Sequence, residues 1–450
     1  MALLVPIMSE PLYRQNPWWK SRLLIEEDED IVKWKASIHW IPSLIDEIVL
    51  EPFSLNFVFG PRQIGKTTLV KLLIKSLLED GVNPWRIFYF RCDMLSDHKE
   101  LNHVLNAYLE LREAHGVDSS FIFLDEVTFP REWYRAVKYH IDLGDFENDV
   151  LTLTGSLSMV AKGEIETFPG RRGKGKNYVL LPVSFREFVK IFQPKVFNEL
   201  PLIESLDANE IIDKTEAIIP YLRELNALFR RYLICGGFPL AIRSIHERGK
   251  ISQEVKDTYL NWLRGDLFKV GRNPETAREI IKLILEKAPS PISWHGLAKE
   301  TELKSHKTVH QYIHTLSELF IVKILYHIDP NTLHINFAKN KKVHLTDPFL
   351  YQVLSEWCLL PSPNESIVVE ATVATHLARK YEVSYWKNRW EIDVVARDEK
   401  HAIGFEVKWR EKPRKTSAKT GKISHIITLT KDSFNRFKLM TPASLFLACI

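Results

Sequence analysis

The stretch FVFGPRQIGKTTLVKLLI (residues 57–74) predicts a buried strand, a loop bounded by glycines and a helix in direct succession. Gly60, Gly65, Lys66 and Thr67 fit the pattern G-x-x-x-x-G-K-[ST], with an apolar run before them and leucines at helical spacing after them. In such a loop, backbone N–H groups converge on a phosphate and the helix N-terminus adds a partial positive charge. We expect Lys66 to reach the β- and γ-phosphates of a nucleotide and the Thr67 hydroxyl to bind Mg²⁺. The expected nucleotide-binding residues are Gly60, Pro61, Arg62, Gln63, Ile64, Gly65, Lys66, Thr67 and Thr68.

The composition is that of an ordinary globular protein, with 45% hydrophobic and 26% charged residues. A chain of 450 residues exceeds what one core usually organises, so two to four domains are expected. The formal charge of +4 is too small to indicate a polyanionic partner by itself. The four cysteines are scattered and indicate neither a zinc site nor a disulfide framework. The sequence contains no run of eighteen apolar residues, the length that would indicate a membrane span. These features predict a soluble protein of the reducing cytoplasm.

A second motif, FIFLDE (residues 121–126), delivers two carboxylates at the end of a predicted buried strand. Ligands lie at the carboxyl ends of the strands of a parallel sheet, where the phosphate loop is also expected. We expect Asp125 to hold Mg²⁺ through water and Glu126 to polarise the water that attacks the nucleotide. The alternative is that two solvated acids simply open a loop.

Thr154 and Arg171 are further candidates for the same reaction. Thr154 ends the strand predicted over residues 150–154, where it could orient the attacking water or could equally be a satisfied turn residue. The loop AKGEIETFPGRRGKGK (residues 161–176) is strongly basic at its end. Arg171 or Arg172 could stabilise transition-state charge, in cis or from a neighbouring subunit, or could belong to a solvated charge run.

Residues 185–270 have a helical pattern, broken by Gly236-Gly237-Phe238-Pro239, which indicates a sharp bend between two helices. Beyond residue 275 we expect three helices followed by strands, the arrangement of a winged helix. Ser305 is a candidate N-cap of the longest helix. Its predicted buried stripe is Val309, Ile313, Leu316 and Phe320, and its predicted outward residues are Lys304, His306, Lys307, His310, Gln311 and His314. The outward face could enter a DNA groove, or the segment could serve only protein contacts.

The last hundred residues place acidic side chains on neighbouring strands. Because strand side chains alternate between faces, Asp393 shares a face with Glu391, and Glu406 shares one with Lys408. Carboxylates that gather Mg²⁺ or Mn²⁺ beside a lysine suit phosphodiester hydrolysis, and Glu370 on a preceding helix could complete the metal shell. The alternative is a half-buried hairpin whose polar face alternates in charge. The basic segment that follows suits either a phosphate backbone or simple solvation.

Together these motifs resemble the AAA-superfamily ATPases of archaea and bacteria that carry a C-terminal restriction-endonuclease-like domain. The resemblance rests on GPRQIGKTT (60–68), FLDEV (123–127), LTGS (153–156), PGR (169–171), PVSFREF (182–188), GGFP (236–239), EID (391–393) and FEVKW (405–409). It implies that Lys66 and Thr67 are Walker A residues, that Asp125 and Glu126 are Walker B residues and that Thr154 is a first sensor. It also implies that Glu370, Asp393, Glu406 and Lys408 occupy the positions of the PD-(D/E)xK nuclease pattern, with isoleucine in place of proline before the aspartate. The NPWW opening (16–19) resembles the archaeal branch.

The sequence therefore predicts an α/β protein built around a P-loop ATPase domain of the AAA type. The expected segments are an N-terminal arm (1–50), the ATPase core (51–184), a helical lid (185–270), a winged helix (271–345) and an α/β nuclease-like domain (346–450). The expected cofactors are ATP and Mg²⁺, with Mn²⁺ possible at the nuclease-like site, and the expected partners are DNA and further copies of the chain. Two alternatives stay open: a nucleotide-controlled signalling or defence switch with an inert nuclease-like domain, and a DNA-binding regulator that binds ATP without turnover.

Overall fold

The computed structural model describes residues 9–155, 168–410 and 420–450 of the chain. The chain divides into two compact units, Met1–Leu181 and Pro182–Ile450. The first part of the predicted basic loop (161–176) and most of the basic segment after Trp409 lie outside the described residues. No helix in the described ranges has the length and apolar character needed to cross a lipid bilayer.

The first unit is built on a five-stranded parallel sheet with the strand order β2-β3-β4-β1-β5. Its strands are β1 (Ser54–Phe59), β2 (Ile87–Arg91), β3 (Phe121–Asp125), β4 (Val150–Thr154) and β5 (Asn177–Val179). Its helices are α1 (Ser9–Gln15), α2 (Glu29–Lys35), α3 (Lys66–Glu79), α4 (His98–Ala114) and α5 (Tyr134–Leu143). Every residue of β1 and β4 is buried, as expected for parallel strands whose two faces are both covered. The predicted α/β class is confirmed.

The N-terminal arm covers the open edge of this sheet at β2. The Asn16 side chain donates to the Tyr89 carbonyl oxygen at 2.9 Å and accepts from the Tyr89 N–H at 2.7 Å, as a neighbouring strand would. The indole N–H groups of Trp18 and Trp19 both donate to the Ile87 carbonyl oxygen at 3.0 Å. These bonds satisfy backbone groups that an edge strand would otherwise leave unpaired.

The second unit surrounds an eight-stranded mixed sheet with the order β13-β12-β11-β10-β9-β6-β7, and β8 pairs with β6. Its strands are β6 (Val322–Ile328), β7 (Ile335–Asn336), β8 (Lys342–Leu345), β9 (Glu382–Lys387), β10 (Glu391–Arg397), β11 (Ala402–Lys408), β12 (His425–Thr430) and β13 (Met440–Pro442). Its helices up to the sheet are α6 (Phe185–Phe192), α7 (Pro194–Phe197), α8 (Ala208–Ala217), α9 (Leu222–Cys235), α10 (Pro239–Arg248), α11 (Gln253–Lys269), α12 (Pro274–Lys287), α13 (Trp294–Lys299) and α14 (His306–Glu318). The helices that follow are α15 (Pro348–Trp357), α16 (Glu365–Leu377) and α17 (Ala443–Ala448).

One sheet spans the boundary that the sequence placed at residue 345. Strand β6 pairs antiparallel with β8, with Leu325 opposite Lys342, and parallel with β9, with Tyr326 opposite Ser384. The segment predicted as a winged helix and the segment predicted as nuclease-like therefore share backbone hydrogen bonds. The pattern of strand residues does not show which edges pair, because pairing between distant strands is decided by packing.

The double glycine between α9 and α10 makes the predicted bend, and close neighbours explain why both positions are glycine: Asp347 at Gly236, and the Val183 carbonyl oxygen, 2.2 Å from where a Cβ would lie, at Gly237. Gly236 has φ +58° and ψ −154°, and a Cβ there would lie 1.7 Å from the Asp347 carboxylate. Asp347 accepts the N–H of Gly237 at 2.9 Å and caps α15 through the N–H of Phe349, also at 2.9 Å. Burial raises the pKa of Asp347 to about 6, against the lowering effect of these two hydrogen bonds.

Candidate functional site

The loop between β1 and α3 has a backbone that only glycine tolerates at its first position. Gly60 has φ +156°, and a Cβ there would lie 2.3 Å from the Leu180 carbonyl oxygen. Gly65 has φ +98° and precedes the first residue of α3, a helix of 14 residues. The loop therefore approaches neighbouring backbone closely and leads directly into a helix N-terminus, which is the arrangement that binds phosphate.

Lys66 lies across this loop. Its Nζ donates to the carbonyl oxygens of Gly60 at 3.1 Å and Pro61 at 2.9 Å, and the residue is 5% exposed. The ammonium group is thus held at the loop by backbone acceptors that a phosphate oxygen could replace.

Thr67 and Asp125 meet at the carboxyl ends of the strands, as the sequence predicted. The Thr67 hydroxyl donates to Asp125 Oδ2 at 2.8 Å, and the Tyr89 hydroxyl donates to the same oxygen at 3.0 Å. Burial and the Asp125 carboxylate both raise the pKa of Tyr89, so its phenol stays protonated and donates. A hydroxyl and a carboxylate in direct contact offer oxygen ligands of the kind that Mg²⁺ prefers. The residues present therefore fit an ATP-bound magnesium ion.

Thr154 forms hydrogen bonds with both acidic residues, Asp125 and Glu126. Its hydroxyl donates to Asp125 Oδ1 and accepts the Glu126 N–H at 3.0 Å. Glu126 follows β3 with φ +53°, a conformation that is uncommon for a residue other than glycine. The Thr154 hydroxyl is thus satisfied within the protein, one of the two alternatives that the sequence left open, and its action as a sensor of nucleotide stays a prediction.

Arg171 lies at the opposite end of the sheet from the phosphate loop. Its guanidinium forms a two-bond ion pair with Asp142 in the last turn of α5, with Nε 2.6 Å from Oδ1. The next residue, Arg172, pairs through its carbonyl oxygen with the N–H of Leu55, near the start of β1. Gly60 lies five steps further along the chain than Leu55, and each step of a strand advances by roughly 3.3 Å. Arg171 therefore does not reach its own phosphate loop in this structure, and two of the alternatives stay open: action on a neighbouring subunit, or membership of a solvated charge run.

Tyr89 and Lys71 are residues at this site that sequence reasoning missed. Lys71 on α3 is buried, pairs with Asp28 of the arm at 3.0 Å and lies 3.5 Å from the centre of the Tyr89 ring. Burial lowers the pKa of Lys71 although Asp28 opposes this effect. The two residues connect the arm to Asp125, and a tyrosine within the run IFYFR carries no motif that would have indicated this contact.

The second cluster of charges lies in the nuclease-like segment, and a lysine is at its centre. Lys342 on β8 is fully buried, and its Nζ lies 2.7 Å from Glu370 Oε1, 2.5 Å from Glu391 Oε1 and 3.4 Å from Asp393 Oδ1. Two of these carboxylates, Glu370 and Asp393, are the residues that the sequence assigned to a metal. Lys342 was not among the residues predicted from the sequence, although Lys342 and His344 are polar residues on one face of a buried strand.

The lysine and the carboxylates shift each other's ionisation. The pKa of Glu370 is raised to about 7, because burial and the neighbouring carboxylates Asp393 and Glu391 together outweigh the lowering effect of Lys342. Burial alone would lower the pKa of Lys342, but the three carboxylates raise it above its ordinary value. Burial and Lys342 lower the pKa of His344 to about 3, so this imidazole is neutral. Lys342 is therefore the cation of the cluster.

The other two residues of the predicted nuclease set, Glu406 and Lys408, contact each other on β11. Lys408 Nζ is 3.6 Å from Glu406 Oε2, and Asp393 Oδ2 accepts the Val407 N–H at 2.9 Å. Across the described residues, no group of three or more His, Cys, Asp or Glu side chains is arranged to hold a metal ion. The ammonium group of Lys342 contacts two of the three predicted metal ligands, Glu370 and Asp393, and the metal set of Glu370, Asp393 and Glu406 stays a prediction.

Residues 53–189 match the family described as AAA domain, over the segment that contains the loop, Asp125, Glu126 and Thr154. The chain carries an ATPase domain of the AAA type. Residues 226–358 match a domain of unknown function (DUF8612). Residues 365–422 match the family described as archaea bacterial proteins of unknown function (DUF234), a restriction-endonuclease-like family. The family resemblance seen in the sequence is confirmed.

Solved structures with remote similarity to this AAA-type ATPase include the ORC2 protein of Aeropyrum pernix, at 14% identity and a TM-score of 0.37, covering 76% of this chain and 98% of that chain. Cdc6p from Pyrobaculum aerophilum has 14% identity and a TM-score of 0.26, covering 67% and 88% of the two chains. A RuvB variant from Thermotoga maritima has 17% identity and a TM-score of 0.25, covering 65% and 87%. Similarity at this level says nothing about function. No curated protein matches the chain.

Helix α14 of the AAA-type ATPase presents the outward face that the sequence predicted. Ser305 caps the helix, and Val309, Ile313 and Leu316 are buried. Phe320, predicted to be buried, is only half-buried, because the helix ends at Glu318 and Phe320 has φ +56°. The outward residues Lys304, His306, Lys307, His310 and Gln311 are exposed, and His314 is half-buried. This face combines lysines with histidines, two of which, His310 and His314, have ring centres 4.3 Å apart.

Proposed function

We propose that this AAA-type ATPase hydrolyses ATP at the phosphate loop and uses the nucleotide cycle to act on DNA through the outward face of α14. The contact between the Thr67 hydroxyl and the Asp125 carboxylate, at 2.8 Å beside Lys66, is the observation that carries the first half of this proposal. It joins the first turn of α3 to the end of β3 at the point where a nucleotide phosphate would lie.

Each residue of the site has a distinct role in the proposed reaction. Lys66 exchanges its backbone acceptors for the β- and γ-phosphates, while Thr67 and Asp125 bind the magnesium ion. When bound, that ion neutralises negative charge that develops on the transferring phosphoryl group. Glu126 orients the attacking water and accepts its proton, and Thr154 fixes the backbone of Glu126. Arg171 is proposed to act on the site of a second copy of the chain.

The DNA contact is proposed from the composition and position of α14. Three helices, α12 to α14, precede strands β6 to β8, which is the succession found in winged-helix proteins. Lys304 and Lys307 would bind phosphate, and the histidines add charge as they protonate. The four cysteines are free and buried, which supports the predicted reducing cytoplasm.

The test is ATP hydrolysis with and without DNA. Wild type should hydrolyse ATP faster with duplex DNA, and Lys66→Ala should abolish hydrolysis. The double variant Lys304→Ala/Lys307→Ala should keep the basal rate and lose the stimulation. Lys282→Ala, which removes a charge from α12 instead, is the matched control and should keep both. Hydrolysis unchanged by Lys66→Ala contradicts the site, and stimulation unchanged by the double variant contradicts the DNA-binding face.

A second candidate is a nucleotide-controlled switch whose nuclease-like domain is inert and binds a protein partner. The position of Lys342 among the carboxylates favours inertness, since these residues do not fit a divalent metal. Junction, flap and linear DNA incubated with Mg²⁺ or Mn²⁺ should then remain uncut. Metal-dependent cleavage that disappears in Asp393→Ala would restore the nuclease assignment instead.

A further inference from the structure

We propose that the ammonium group of Lys342 takes the place of a divalent cation in the nuclease-like cluster, and so excludes metal from it. The residues of the PD-(D/E)xK pattern are present, yet an internal side chain supplies the positive charge that they would otherwise gather from solution. This inference is independent of ATP hydrolysis at the phosphate loop.

Three carboxylates converge on one ammonium group. Oxygens of Glu370, Glu391 and Asp393 all point to the one Nζ of Lys342, at 2.5–3.4 Å. Distances of about 2.7–2.9 Å are normal for an ammonium group that donates to a carboxylate. The carboxylates come from helix α16 and strand β10, two of the three elements on which the predicted metal ligands lie. Lys342 thus contacts an oxygen of each of these three carboxylates.

Lys342 is held at the cluster from its backbone outward. Lys342 opens β8, and its backbone is paired with Leu325 of β6, which fixes the point from which the side chain extends. The side chain is completely buried, and a buried ammonium group without anionic partners is strongly disfavoured. The lysine and the carboxylates therefore hold one another in place.

The charges of the cluster also bear on metal binding. One ammonium group faces three carboxylates, and Glu391 gains a second partner in Lys387, whose Nζ lies 2.7 Å from Glu391 Oε2. Hard divalent cations need several carboxylate or carbonyl oxygens at about 2.0–2.6 Å, and Lys342 already uses those oxygens as acceptors. A metal could enter only where Lys342 now lies, and two cations so close together would repel each other.

The inference predicts a gain of metal binding when the lysine is replaced. Methionine keeps most of the length and volume of lysine and removes the charge, so Lys342→Met should free the carboxylates. Titration of the nucleotide-free protein with MnCl₂, followed by electron paramagnetic resonance, measures the free ion. The variant should bind Mn²⁺ at least about tenfold more tightly than wild type.

Two double variants assign the new site. Lys342→Met/Asp393→Asn should lose the gained Mn²⁺, whereas Lys342→Met/Asp125→Asn should keep it, because Asp125 belongs to the phosphate loop. A folded Lys342→Met protein that binds no additional Mn²⁺ overturns the inference.

A further comparison decides the question if Lys342→Met does not fold, since three carboxylates would then be left without their cation. Wild type and Asp393→Asn should show the same weak Mn²⁺ binding if Lys342 excludes metal. Wild-type binding of Mn²⁺ that is lost in Asp393→Asn would show that the metal coexists with Lys342, and the inference would be wrong.

Discussion

Replacement of Thr154 by valine tests how the phosphate site is held together. The substitution keeps the shape of the side chain but removes a donor to Asp125 and an acceptor for the Glu126 N–H. A hydrogen bond to a charged group contributes about 1.5–3 kcal/mol, and a buried N–H left without a partner costs about 1–3 kcal/mol. Partial relaxation should leave a net loss of about 3 kcal/mol in the free energy of unfolding of the first unit.

The same change should slow ATP hydrolysis, because both acidic residues would lose their fixed positions. A barrier raised by about 1.4–2.7 kcal/mol corresponds to a ten- to hundredfold lower kcat. Steady-state hydrolysis at saturating ATP and thermal unfolding without nucleotide measure the two effects separately.

Thr152→Val is the matched control. Thr152 lies two residues earlier on β4, is fully buried, and within the described ranges its hydroxyl has no hydrogen-bond partner. Its replacement should leave kcat unchanged and should stabilise the protein slightly, since it removes an unsatisfied polar atom. Equal effects of the two substitutions on kcat and on unfolding would refute the role given to the Thr154 hydroxyl.

Three further predictions concern the bend, the DNA face and the basic loop. Gly236→Ala should destabilise the second unit severely in thermal unfolding, because its Cβ would collide with a carboxylate, whereas Gly265→Ala, with nothing within 4 Å, should stabilise α11 by about 0.5–1 kcal/mol. Burial, His314 and a nearby lysine lower the pKa of His310, so this imidazole gains its charge only below the ordinary pKa of histidine, 6.5. DNA affinity, measured by fluorescence anisotropy, should therefore rise as the pH falls from 8 to below 6.5. Equal rises in wild type and in a His310→Ala/His314→Ala variant would contradict this. Arg171→Ala should leave hydrolysis at low protein concentration unchanged and should lower only the turnover that increases with protein concentration; a loss at every concentration would contradict a role in trans.

The phosphate site could be predicted from the sequence because its determinants are local. The pattern from Gly60 to Thr67 fixes a strand, a loop and a helix within a few residues, and the apolar run before Asp125 indicates a buried parallel strand. Strands of a parallel sheet end at one edge, so the contact of Thr67 with Asp125 followed without knowledge of the strand order.

The position of Arg171 could not be predicted in the same way. Its place depends on the register of β5 beside β1, in which Asn177 lies opposite Phe57. That register puts the arginine near the start of β1 and next to Asp142, an ion pair 29 residues apart in sequence that no local pattern encodes.

The cluster around Lys342 was missed for a related reason. The sequence correctly placed Glu370 and Asp393 near each other, since the order of helix and strands carries that information. Lys342 reaches them only because β8 joins the same sheet through β6, and pairing between strands so far apart follows from packing rather than from any motif. A lysine and a histidine that alternate with apolar residues in a fully buried strand are the local feature that marks such a cluster.

The most direct test of ATP hydrolysis at the phosphate loop is a single-turnover measurement on Glu126→Gln beside wild type and Lys66→Ala. Glu126→Gln should bind ATP with wild-type affinity and hydrolyse it at least about a hundredfold more slowly, since the glutamine amide cannot accept the proton of the attacking water. Lys66→Ala should lose ATP binding as well. Hydrolysis by Glu126→Gln at the wild-type rate would contradict the role of Glu126 as the acceptor of that proton.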